Sequence, residues 1–221
     1  MKSRQLKKEL LNVLSQEKWQ ENISSFLAIS PSQLINPLIS LLYHPVSIIK
    51  WRAVSMIGLS VKPFAMKEKE LARVIIRRFM WYLNEESGGI GWGIPEAFGE
   101  ILSNYQWMAQ EYASILVYYI IPGGSFLDMQ ELQTSVIWGI GRGAQGHASF
   151  FQFACPHLIP FLTSETPSQR GTALWAMKQL KCCLSESIFN LLKTDTAIFE
   201  LYDQGKLLYP SIAEIANTFE T

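Results

Sequence analysis

The sequence predicts an all-α fold, an α-solenoid of about four to five helix pairs laid side by side, and three observations predict it. Helix start signals recur at Ser30-Pro31-Ser32-Gln33, Asp128-Met129-Gln130-Glu131 and Thr166-Pro167-Ser168-Gln169. Each sets a capping residue three positions ahead of Gln or Glu, and two add proline at the first helical position. Behind each, apolar residues return at three- and four-residue spacing, as an amphipathic helix requires. Finally, a block with a small residue near its end repeats: Ala53 to Gly58, Ile94 to Gly99, Val136 to Gly141 and Ala173 to Lys178. From Gly58 to Gly99 is 41 residues, from Gly99 to Gly141 is 42, and from Gly141 to Lys178 is 37.

Taken in order, residues 3–15 and 18–29 read as an N-terminal capping pair within 1–30. Residues 31–43 turn at His44-Pro45 into 47–60, and 67–84 pass through a glycine-rich loop into 92–103. Residues 105–121 turn at Pro122-Gly123-Gly124 into 128–142, and 147–163 precede 167–182, so the repeats fill 31–182. Short helices near 185–193, 195–203 and 210–219 would cap the C-terminal end, 183–221, of a single domain. No segment shows sustained alternation joined by hairpin turn chemistry. Two-helix units of about forty residues have the size of HEAT or armadillo repeats. Such a unit cannot bury its apolar stripe alone, so neighbours must stack.

Composition agrees with stacked helices and excludes several classes. Of 221 residues 48% are hydrophobic and 17% charged, so many surfaces must be covered. Nineteen basic and nineteen acidic residues cancel, leaving no global field to attract nucleic acid or anionic membrane. The charged start, Met1 to Glu9, lacks the apolar run of a secretory signal. The longest apolar segment, Ile115 to Ile121, falls short of the roughly 20 residues a spanning helix needs. Cys155, Cys182 and Cys183 make no even disulfide framework, which leads to the expectation of reduced thiols in a cytoplasmic protein.

The most unusual stretch runs from Trp81 to Glu96 and holds Gly88, Gly89, Gly91 and Gly93. Glycine-rich loops ahead of a helix can cradle phosphate, but Glu85 and Glu86 flank this one and no lysine follows the last glycine. Two readings stay open: a tight inter-helix turn packed by Trp81 and Trp92, or an acidic recognition edge of Asn84, Glu85 and Glu86. Further along, Gly141-Arg142-Gly143-Ala144-Gln145-Gly146 fits G-x-G-x-x-G, but a dinucleotide site needs a preceding strand. These glycines are expected to end a helix instead. His44, His147 and His157 have no metal-ligand spacing, and Cys155 and His157, two apart, point to different helix faces. No catalytic residue, metal or cofactor is indicated.

The segment from Trp81 to Ile101 resembles a small, functionally uncharacterised group of bacterial and archaeal HEAT-like repeat proteins. Their signature reads W-x-L-N-(D/E)-E-S-G-G-I-G-W-G-x-P-E-x-x-G-E-I, with Glu85 here where aspartate is usual. Trp51-Arg52-Ala53 and Trp138-Gly139-Ile140-Gly141-Arg142 extend the resemblance over about residues 45–145. The group implies a fold and no reaction. Arg52, Glu96 and Arg142 fall at similar repeat positions and would form a positive–negative–positive ladder on successive second helices. The expected partner surface comprises Arg52, Asn84, Glu85, Glu86, Trp92, Glu96, Glu100, Trp138 and Arg142.

The reading is a non-catalytic scaffold that takes a protein or peptide on its concave face, with no membrane partner and nucleic acid disfavoured. The alternative is a nucleic-acid-binding protein akin to the DNA glycosylases built on HEAT repeats, which needs a basic groove. Only Lys67, Lys69, Arg73, Arg77 and Arg78 cluster, and Arg73 and Arg77 form a stripe too small for a duplex footprint. HEAT-like repeats also occur in chromophore lyases, and nothing here supports that role specifically.

Overall fold

The computed structural model describes residues 3–65, 68–84 and 91–219. The Glu85–Ile90 part of the glycine-rich loop and Lys67 of the basic cluster lie outside the described residues. The chain is an α-solenoid whose helices, in order, are α1 (Ser3–Leu14), α2 (Ser24–Leu27), α3 (Pro31–Ile39), α4 (Ser47–Ala65), α5 (Lys69–Asn84) and α6 (Ile94–Asn104). There follow α7 (Gln106–Tyr118), α8 (Gln130–His147), α9 (Cys155–Leu158), α10 (Pro167–Leu180) and α11 (Glu186–Lys193). A hairpin of β1 (Leu201–Asp203) and β2 (Lys206–Leu208) then precedes α12 (Ile212–Asn217).

Helices α4, α6, α8 and α10 lie side by side as an inner layer, with α3, α5 and α7 packed behind them. The recurrent small residues set the spacing. A Cβ placed on Gly99 of α6 would fall 2.3 Å from the Gly139 backbone of α8, and one on Gly139 would fall 2.6 Å from the Pro95 oxygen. The two backbones touch there, which only glycine on both sides permits. One continuous core of Leu, Ile, Phe and Trp runs from Leu6 to Ala216. No helix among the described residues is long and apolar enough to cross a membrane.

Several expectations need correction. The glycines of Gly141–Gly146 do not end α8, which runs on to His147. They are contact points: a Cβ on Gly141, Gly143 or Gly146 would meet Trp175 at 2.4 Å, Phe151 at 2.4 Å or the Ser103 oxygen at 2.1 Å. The expected helix over 147–163 is broken into 3₁₀ turns around the short α9. Pro156 and Pro160 lack the amide hydrogens that a continuous helix needs. Similarly, 18–29 is a 3₁₀ turn followed by α2. Helices α3 and α10 begin at Pro31 and Pro167 as predicted, but Ser30 and Thr166 make no side-chain cap. Thr166 Oγ1 donates to Gln130 Oε1 at 2.9 Å instead. A reciprocal capping box does form at Ser211 and Glu214.

The largest departure is the hairpin, where a helix over 195–203 was expected. Gln204 (φ 48°) and Gly205 (φ 79°) form its two-residue turn. Two consecutive positive φ angles match the right-handed twist of paired strands, and Gly carries the second at no steric cost. Leu201 pairs with Leu208, Tyr202 with Leu207 and Asp203 with Lys206.

The expectation of reduced thiols is likewise corrected. Cys155 and Cys182 form a disulfide across a sequence separation of 27, and Cys183 alone is free and exposed. The bond ties α9 to the end of α10, and it rules out a free Cys155 nucleophile beside His157. A loop of this length confines the unfolded chain by about 3.5 kcal/mol in the chain-entropy view. Reduction is therefore expected to lower the unfolding free energy, read from the urea midpoint and slope, by that amount, with a Cys155→Ser/Cys182→Ser variant giving the same loss and no further response to reductant. Identical midpoints with and without reductant would contradict it.

Candidate binding site on the inner helices

The expected Arg52–Glu96–Arg142 ladder does not form, and two other ion pairs link the inner helices. Lys50 Nζ, rather than Arg52, meets Glu96 Oε1 at 2.9 Å, and Ser135 Oγ donates to the same oxygen at 2.9 Å. One turn along α6, Glu100 takes Arg142 in a two-armed pair, Nε to Oε2 at 2.6 Å and Nη2 to Oε1 at 3.0 Å. Helix geometry explains both. Glu96 and Glu100 are four apart and share a face of α6, while Ser135 and Arg142 are seven apart and share a face of α8. On α4 the face toward α6 passes through Lys50 and Gly58, and a Cβ on Gly58 would lie 2.6 Å from Glu100 Cγ. Arg52, two residues from Lys50, points elsewhere. Its Nη1 donates to the Leu14 and Gln16 carbonyls at 2.8 Å each, closing the end of α1.

The tryptophans of the inner layer form a second row. Trp51 and Trp138 have ring centroids 4.7 Å apart, and Trp138 stacks on Trp175 at 6.0 Å. Tyr202 of the hairpin stacks flat on Trp51 at 5.1 Å and also meets Trp138. The indole N–H groups reach the same strand or the residue just before it. Trp138 Nε1 donates to the Tyr202 carbonyl at 2.8 Å, and Trp51 Nε1 donates to Glu200 Oε1 at 2.9 Å. Trp175 Nε1 reaches Asp203 Oδ2 at 3.4 Å, and Gln145 Nε2 donates to Asp203 Oδ1 at 2.8 Å. Thus the hairpin lies across α4, α8 and α10 on the face expected to stay open for a partner.

Between the hairpin turn and the helices a cleft of about 260 Å³ remains. Glu100, Asn104, Arg142, Gln145 and Asp203 give it polar walls, and Trp138 and Tyr202 an aromatic one. Burial works against the Arg142 charge, but the hydrogen bonds and charge of Glu100, with Asp203 beyond, outweigh it and raise its affinity for the proton. The guanidinium therefore stays charged, with its third arm on Gln145 Oε1 at 3.0 Å.

The other expected site residues fall elsewhere. Asn84 closes the end of α5, its Nδ2 donating to the Met80 carbonyl at 2.7 Å and to Tyr119 Oη at 3.0 Å. Trp92 is half-buried in the turn before α6, away from the cleft. Glu85 and Glu86 lie outside the described residues. Glu100, Trp138 and Arg142 are brought together, and Glu96 sits one turn away, almost fully buried beside Lys50. Ser55, Asn104, Gln145, Tyr202 and Asp203 were not anticipated, and the two-residue Gln204-Gly205 turn between apolar runs was the signal for the last two. In the basic cluster, Arg73 is held by Glu111 at 2.8 Å and by Glu70, and Arg77 also pairs with Glu70, so that stripe is largely neutralised.

Burial raises the Tyr202 phenol above its ordinary value and pushes Tyr105 up to about 12. Both phenols hold their protons more tightly folded than unfolded. The stability they contribute is complete below the unfolded value of about 10 and is lost as pH rises through the folded values. Urea midpoints are expected to fall above about pH 10, less steeply in Tyr202→Phe. Equal slopes in the two proteins would show that Tyr202 takes no part.

No known family profile matches the chain. An uncharacterised protein of Archaeoglobus fulgidus is 28% identical over 184 residues, covering 80% of this chain and 91% of that protein. Among solved structures, a computationally designed armadillo repeat protein for modular peptide recognition is 14% identical, with a TM-score of 0.46 over 95% of this chain and 96% of that one. A designed armadillo repeat protein in complex with a (KR)4 peptide is 15% identical, with a TM-score of 0.47 over 95% of each.

Proposed function

We propose that the chain is a non-catalytic binding scaffold that takes a protein or peptide segment on the inner helices, around the cleft of Glu100, Asn104, Trp138, Arg142 and Gln145. The observation that carries this reading is the polarity of that surface. Solenoid interiors that serve only packing fill with apolar side chains, whereas here charged and amide groups line an unfilled cleft beside an aromatic row. Amide side chains at successive inner helices can meet the donors and acceptors of a peptide backbone, and the indoles supply contact area at low entropic cost. No group of three His, Cys, Asp or Glu side chains among the described residues could hold a metal ion.

The test is a capture experiment from the native cell with the unaltered protein and an Asn104→Ala/Gln145→Ala variant. These substitutions remove amides at the cleft while sparing the aromatic row. Loss of the captured partner with the thermal midpoint kept would support the cleft as the contact surface. Capture of the same partner by both proteins would remove it.

A further inference from the structure

We propose that strand β1 is a resident ligand of the inner groove, and that the partner is a protein segment of the same chemistry: an extended acidic–x–aromatic–acidic strand that displaces it. This rests on the scaffold reading above and names what the scaffold recognises.

The hairpin is held as a bound peptide would be. Glu200, Tyr202 and Asp203 each meet inner-helix side chains, through the Trp51 N–H, the Trp51–Trp138 aromatic slot, and the Trp175 and Gln145 donors. One backbone carbonyl, that of Tyr202, is read by Trp138. Ser55 Oγ lies 3.1 Å from the phenol oxygen and completes the slot. Each contact is from a side chain of the groove to a feature that any strand of this pattern presents.

As a sheet, the same hairpin is slight. It has two strands of three residues, joined to no further strand among the described residues, and a two-stranded ribbon is marginal by itself. Its outer strand is largely exposed, Leu208 at 41%, as is Tyr209 just beyond it at 60%. Beneath its turn lies the unfilled polar cleft, so the seat is wider than its occupant. Two buried side chains, Leu201 at 2% and Tyr202 at 3% exposure, sit in the groove as a ligand's anchors would, and further holds lie outside the part that would leave. Phe199 fills the space over Gly171, and Ile198 bridges to Ser211. Residues 200–208 can therefore lift while 198–199 and α12 stay in place.

A tethered occupant raises the apparent dissociation constant of any competitor in inverse proportion to the fraction of time the groove is open. The experiment uses the full chain, unaltered and as Tyr202→Ala, with a fluorescent synthetic peptide of residues 198–209. Binding to Tyr202→Ala at least about tenfold tighter than to the unaltered chain is expected, and a peptide carrying the same Tyr202→Ala change should not bind. Equal binding to both chains, no binding to either, or equal binding of both peptides overturns the proposal. Should Tyr202→Ala not fold, amide exchange of Leu201–Leu208 in the unaltered chain decides. Opening before global unfolding supports a detachable strand, and exchange only with the whole molecule overturns it. Partner capture that depends on Asn104 and Gln145 while the peptide fails would leave the scaffold standing without this ligand.

Discussion

Trp138→Ala is expected to cost about 3–5 kcal/mol of stability, the range for truncating a large buried aromatic. Trp138 is 3% exposed and touches Trp51, Trp175 and Tyr202, so its loss opens a void at the centre of the aromatic row. It also strips the Tyr202 carbonyl of its donor. Trp138→Phe retains most of the packing and loses the N–H, and a smaller cost of about 1 kcal/mol is expected. Urea unfolding of both variants separates packing from hydrogen bonding. A cost below about 1 kcal/mol for the alanine variant would mean that the hairpin is not held by this residue.

The second large effect is expected at the seam between α6 and α8. Gly99→Ala and Gly139→Ala each drive a methyl into backbone, at 2.3 Å and 2.6 Å. Side chains can rotate away from an intruder, but a helix backbone must move as a body. The cost is expected to exceed the roughly 1–3 kcal/mol of ordinary overpacking, with loss of soluble protein as the extreme. Gly58→Ala is the comparison, since its methyl would meet the Glu100 side chain at 2.6 Å. That chain can swing aside, weakening its pair with Arg142 but leaving the helices in place. If Gly99→Ala and Gly58→Ala melted alike, the seam would not be the fixed point described.

The repeat architecture was legible because its signals are local and redundant. Prolines at the first helical position mark the starts of α3 and α10, and three- to four-residue apolar spacing and the recurrent small residues mark the inner helices. The small residues also foretold close stacking, and Gly99 against Gly139 is where it happens. Gly141–Gly146 misled because glycine signals both helix ends and tight helix contacts, and only the neighbour across the gap decides. Charge positions gave Glu96, Glu100 and Arg142 a place on the inner helices but mispaired them. A two-residue offset on α4 turns Arg52 away and brings in Lys50. The hairpin was missed because its strands have three residues each and its contacts lie on helices from 28 to 149 positions away. Nothing near Tyr202 in the sequence records that Trp51 is its stacking partner.

That pairing changes how such a chain should come apart. A row of units touching only their neighbours can fray from either end, one unit at a time. Here Trp51 binds Glu200 across 149 positions and Ser55 meets Tyr202 across 147, while Gln20 lines the same cleft as Gly205. The first third of the polypeptide is thereby latched to the last, and while the latch is closed the row behaves as a clasped bracelet whose links cannot be shed singly. Unfolding gains cooperativity from the clasp, and folding slows, because the final closure awaits contacts between distant stretches of chain.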